Sequence, residues 1–158
     1  MKKLVLGIGN PILSDDGVGF RVIDALQPLL PPGDITLTSS DVSGLALLDY
    51  VVDFDEVIIV DAIQTVNGKP GDIYILETGD LRTSKHTISP HDVDLQTALE
   101  IGRILKMKIP DRIRIIAIEI PEVSEFSEEL SAPVKESVPI AASMVVDMLS
   151  PEKGKDGS

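Results

Sequence analysis

Two short, unbroken apolar runs limit the fold of this chain more than any other feature: LVLGI at residues 4–8 and VIIV at residues 57–60. A strand wetted on one side alternates apolar and polar residues, whereas a run without a polar member has both faces covered. Both runs therefore read as central strands of a sheet sandwiched between other elements. Three further segments have strand character. Residues 35–38 alternate, residues 73–76 follow the Pro70-Gly71 turn and suit an edge or antiparallel strand, and RIRIIAIEI at residues 112–120 is the clearest alternating stretch. Helical spacing predicts helices over residues 18–29, 45–52, 93–106 and 140–149, with Pro28 and Pro139 at helix boundaries. In the third of these, Leu95, Ala98, Leu99, Ile101, Ile104 and Leu105 belong to the apolar stripe, leaving Asp94, Glu100 and Arg103 outward. Strands alternating with helices predict one α/β domain over residues 1–150, a five-stranded, mostly parallel twisted sheet with helices on both faces. Residues 151–158 are small, polar and charged and are expected to form a disordered tail.

Composition removes several classes of function. The chain has no cysteine, which excludes disulfides, thiolate metal sites and a cysteine nucleophile. A formal net charge of −12 repels phosphate backbones and anionic bilayers, so neither nucleic acid nor membrane is an expected partner. No apolar run approaches the roughly 20 residues of a transmembrane helix. The first apolar run is too short for a signal-peptide core and is broken by Gly7, Gly9 and Pro11, so a cytoplasmic location is expected.

In open α/β sheets, ligands gather beyond the carboxyl ends of the strands, which makes polar residues after the apolar runs the first candidates. GIGNPILSDDGVG at residues 7–19 brings Asp15 and Asp16 before a helix, Asp61 follows VIIV, and SPHDVD at residues 89–94 presents His91. Each has an ordinary structural reading. Asp15 is expected to cap the helix beginning near Val18, Asp61 would serve as the polar stop of a strand, and His91 as a surface histidine. Taken jointly they say more. Two ionised carboxylates about 4 Å apart repel by about 4 kcal/mol at an effective dielectric near 20, so such a pair shares a proton or binds a cation. A neutral imidazole beside them favours a metal, and this oxygen and nitrogen set suits nickel or zinc. Two other chemistries are disfavoured. The dinucleotide fingerprint begun by Gly7 and Gly9 has Ile12 in place of its third glycine, and no Gly-x-Ser-x-Gly elbow of a serine hydrolase occurs.

The loop G-I-G-N-P-I-L-S-D-D-G-V-G closely resembles the N-terminal signature of the hydrogenase maturation endopeptidases. V-I-I-V-D-A-I, P-G-D-I-Y, S-P-H, A-I-E-I-P and L-S-A-P-V-K-E-S-V-P resemble later segments of that family in the same order, so the likeness spans about residues 3–149. The resemblance implies metal contacts at Asp16, Asp61 and His91 and a further functional acid at Asp41, with either the metal polarising the scissile carbonyl or Asp16 or Asp41 activating water; His86 falls outside the motif. It implies an endopeptidase of aspartic or metal-recognising type that trims the C-terminal extension of a nickel-iron hydrogenase large subunit after reading the nickel already inserted there. Nickel is then cargo of the substrate, although zinc or another divalent ion also suits the site. A monomer forming a transient heterodimer with the large-subunit precursor is expected. The alternative is a nickel-sensing chaperone that never cuts. Where the family often carries Gly-Ile-Glu-Pro, this chain has A-I-E-I-P-E-V, so the loop there differs.

Overall fold

The computed structural model describes residues 1–42, 44–77, 90–122 and 126–150, with backbone alone at 90–94. Its sheet has five strands: β1 (Lys3–Ile8), β2 (Ile35–Ser40), β3 (Glu56–Ile63), β4 (Ile73–Glu77) and β5 (Arg112–Glu119). They lie in the order β2-β1-β3-β5-β4, parallel throughout except for the antiparallel edge pair β4–β5. The four helices are α1 (Val18–Leu26), α2 (Leu47–Val51), α3 (Pro90–Ile104) and α4 (Ala132–Leu149).

The period of two divides the central strands between two cores. Leu4, Leu6, Ile8, Ile59, Ile115 and Ala117 face α2 and α3, while Val5, Ile58, Val60, Ile116 and Ile118 face α1 and α4. Helices thus cover both faces, as the apolar runs require. α1 approaches β1 and β3 closely, because Gly19 rests on the carbonyl oxygens of Ile8 and Val60. A Cβ there would lie 2.7 Å from each.

Several boundaries differ from expectation, each for a local reason. β5 is not a half-wetted alternating strand. All of Ile113–Glu119 is buried, and Arg114 is taken inside by donating to the Met148 carbonyl at 3.2 Å and lying 3.9 Å from Glu56. Pro139 does not bound a helix: α4 begins at Ala132, with Ser131 as N-cap and Pro133 in the first turn. Pro139 is exposed, where water can satisfy the Lys135 carbonyl that a proline leaves without its helical donor. α1 stops at Leu26, ahead of Pro28, instead of reaching Leu29. The second helical stretch splits into a 3-10 turn at Gly44–Ala46 and α2. Ile104 and Leu105 leave the apolar stripe and are 77% and 63% exposed, since α3 ends at Ile104. The tail at 151–158 lies outside the described residues. Among the described residues no helix is long and apolar enough to cross a membrane.

Candidate functional site

Parallel β1, β2, β3 and β5 open their carboxyl ends on one edge of the sheet, and the first loop folds over it. β1 ends at Ile8, and Gly9 takes a positive φ of 150° so that the chain turns back. A Cβ at Gly9 would lie 2.1 Å from the Asp16 carbonyl oxygen, a contact only glycine permits. The Asn10 N–H donates to the Asp16 carboxylate at 2.9 Å, fixing that half-buried side chain above the end of β1.

Asp61 is not the polar stop of a strand, because β3 runs on to Ile63. It sits one residue past the Gly7–Val60 pair, alongside Ile8, and is 1% exposed. Its Oδ1 accepts the Ala62 N–H at 2.8 Å. A carboxylate in the body of a buried strand is costly, and a strand selected for stability alone would carry valine or isoleucine there. Asp41 follows Ser40, the β2 residue paired with Ile8, and is exposed. Ser40 itself donates to the Tyr50 hydroxyl at 3.1 Å and accepts the Val42 N–H at 3.2 Å, which holds the end of β2.

His91 is the second residue of α3. The segment after that helix is tied to the amino edge of the sheet, where the Asp53 N–H donates to Lys108 and the Asp111 N–H to Asp55. A helix of 15 residues is about 22 Å long, so its first turn lies at the opposite, carboxyl edge. The His91 side chain and all of His86 lie outside the described residues. The fold therefore brings Asp16 and Asp41, just beyond β1 and β2, and Asp61, near the carboxyl end of the adjacent β3, toward one edge of the sheet and starts the His91 helix at the same edge. It does not pack the acids into a closed cage: among the described residues, no three acidic or histidine side chains are grouped to hold a metal ion.

Asp15 does not cap α1, which starts from Gly17 without a side-chain cap. It turns the other way, is 2% exposed, and accepts the Ser131 N–H at 2.6 Å and the Ser131 hydroxyl at 2.8 Å. The first loop is thereby clamped to the start of α4. Asp15→Ala strands two half-buried donors of Ser131 and is expected to cost about 1 kcal/mol in urea unfolding, with amide exchange at Ser131 faster than in the parent.

Glu119, the acid of the A-I-E-I-P segment, has a structural role that its sequence context does not signal. Buried at the end of β5, it accepts the Thr65 N–H at 2.9 Å, the Tyr74 hydroxyl at 3.1 Å and a short bond from the Thr65 hydroxyl. It ties the turn after β3 and the edge strand β4 to β5, above a cleft of about 340 Å³ lined in part by Gln64, Pro121 and Glu122. The sequence shows only an acid closing an apolar strand. Burial, opposed by a hydrogen bond from Thr65 and reinforced by Glu119, holds the Tyr74 phenol above its ordinary value of 10.0. The native state thus favours the neutral phenol. That stabilisation is complete below the unfolded value and is lost as pH climbs through the raised native one. Denaturant midpoints measured between about pH 9 and 11 should fall less steeply for Tyr74→Phe than for the parent.

Residues 20–148 match the family model described as HycI, hydrogenase maturation protease. The chain is 34% identical over 129 residues to the hydrogenase 2 maturation protease of Escherichia coli K12, covering 79% of this chain and 76% of the relative. Among solved structures, the hydrogenase maturating endopeptidase HybD from Escherichia coli superposes with a TM-score of 0.79 at 30% identity, covering 94% of this chain and 92% of that one. The fold also matches the NiFe hydrogenase maturation protease HybD from Thermococcus kodakarensis, with a TM-score of 0.77 at 22% identity over 95% of this chain and 100% of that one. By sequence and by fold, the chain belongs to the hydrogenase maturation protease family.

Proposed function

We propose that this protein removes the C-terminal extension of a nickel-iron hydrogenase large-subunit precursor, and that it reads the nickel already inserted in that subunit through Asp16, Asp61 and His91. The observation that carries the reading is Asp61, a carboxylate placed inside a buried strand at the edge where the Asp16 loop folds over β1. Burying that charge costs stability in the free protein, and a divalent ion arriving with the partner offsets the cost. Recognition then depends on the loaded state of the partner, because an empty metal site offers nothing to the carboxylate. Oxygen and nitrogen donors suit nickel, and the remaining coordination positions belong to the substrate.

The hydrolytic step is assigned to water and one carboxylate. Asp41, exposed beside the end of β2, takes a proton as water attacks the scissile carbonyl carbon. The C–N bond breaks when that proton passes to the departing amine. Asp16, fixed by the Asn10 N–H, is held as an oriented ligand.

Intact-mass measurement of a nickel-loaded precursor incubated with this protein tests the reading. Loss of one C-terminal peptide is expected. A stable complex with unchanged precursor mass would assign the protein to a holding, chaperone role and overturn the protease reading.

A further inference from the structure

Phe126 and Ile12 lie on adjoining stretches of chain beside the site, and both stay exposed among the described residues. Phe126 is 79% exposed and Ile12 51%. Their strands of chain are joined, since the Ser127 N–H donates to the Ile12 carbonyl at 2.9 Å and the Ser14 N–H to the Ser127 carbonyl at 2.7 Å. Ser14 Oγ donates to the Glu129 carbonyl at 3.2 Å, and the Asp15–Ser131 bonds lie just beyond. The two apolar side chains are therefore carried on a stitched pair of loops, whose position is set before any partner arrives. Preorganised aromatic and aliphatic anchors with a polar surround are the usual centre of a protein interface.

The surround is charged. Glu128 and Glu129 are exposed directly after Phe126 and Ser127, on a chain whose net charge is −12. Both also line a groove of about 540 Å³ that continues along α1 and α4 past Leu130, Val138 and the cation Lys135. Arg21, on the same groove, donates to the Glu128 carbonyl at 2.7 Å and so props the loop. A complementary surface is apolar at its centre and charged at its rim, with basic groups opposite Glu128 and Glu129 and acidic ones opposite Lys135. Four residues after Ile12, the same loop carries Asp16, so whatever presents a metal to Asp16 also lies over Ile12.

We infer that Ile12 and Phe126 are the docking anchor for the large-subunit precursor, seating an apolar surface of that partner with a charged rim so that its metal reaches the Asp16 loop. The inference rests on the proposed function. It adds that a metal-independent share of the affinity for the precursor resides in this patch, on residues other than those that read the metal.

The test measures kcat and KM for nickel-loaded precursor with the full-length parent, Phe126→Ala, Ile12→Ala, and Leu105→Ala, an exposed apolar residue just beyond the end of α3. Phe126→Ala is expected to raise KM at least about 30-fold, the scale of an interface hot spot, and Ile12→Ala about 5-fold, with kcat held. Leu105→Ala should behave as the parent. Melting temperatures should be unchanged, since both anchors are exposed. An unchanged KM in Phe126→Ala beside an active parent overturns this inference and leaves the proposed function standing. A parent that neither binds nor cuts the precursor overturns the proposed function instead. Sedimentation supplies the remaining arm: if the parent is a dimer that Phe126→Ala dissolves, the patch belongs to a second copy of the chain and the inference fails.

Discussion

Asp61→Ala is expected to abolish processing of the nickel-loaded precursor, lowering kcat/KM by at least about 100-fold, while the variant folds as well as the parent or better. The two halves of this result have one cause. Asp61 is 1% exposed on a strand whose residues 57–60, 62 and 63 are apolar, so the native fold carries a desolvated carboxylate at that position. Alanine removes the charge and keeps β-strand geometry, at the expense of a small void and of the interactions of the carboxylate, the bond from the Ala62 N–H among them. Melting temperature and activity should therefore move apart. A residue kept for packing would lower both together, and a drop in melting temperature matching the drop in activity would show that Asp61 serves the fold alone.

Gly19→Ala is expected to destabilise the domain by about 3 kcal/mol in denaturant unfolding, the upper range for overpacking a core. A methyl at this position would lie 2.7 Å from two carbonyl oxygens, those of Ile8 and Val60, and 2.7 Å is well inside van der Waals contact. Those oxygens belong to the two central strands, so neither can rotate away as a side chain would. Relief requires α1 to lift from the sheet. α1 starts directly after the turn that carries Asp16, so the surviving folded fraction should also process precursor less well. Gly33, where an added Cβ meets nothing within 4 Å, is the matched control, and Gly33→Ala should leave stability nearly unchanged.

Apolar periodicity made the sheet and its two covered faces legible, because LVLGI and VIIV admit few positions other than the centre of a parallel sheet. It failed where proline and long-range polar partners decide the outcome. Pro139 read as a boundary, yet on an exposed face of α4 its missing hydrogen bond is replaced by water, and the helix starts seven residues earlier at Ala132. Arg114 read as the wetted side of β5 because its partners, the Met148 carbonyl and Glu56, are distant in sequence. For the site, the strand-end rule singled out the loops of Asp16 and Asp61 from the apolar runs, while Asp41 came from the family resemblance alone; the fold carries all three toward one edge of the sheet. Asp15 read as a local helix cap, because Ser131, 116 residues away, gives no local signal. Glu119 escaped assignment for the same reason: Thr65 and Tyr74 reach it only after β4 has folded back beside β5.

The measurement closest to the central claim compares the affinity of this protein for nickel-loaded and nickel-free precursor, with Asp61→Ala run beside the parent. Tighter binding of the loaded precursor by at least about 10-fold, about 1.4 kcal/mol, is expected for the parent, and equal binding of both forms for Asp61→Ala. Equal affinity of the parent for the two precursors would contradict metal reading by the Asp16, Asp61 and His91 edge.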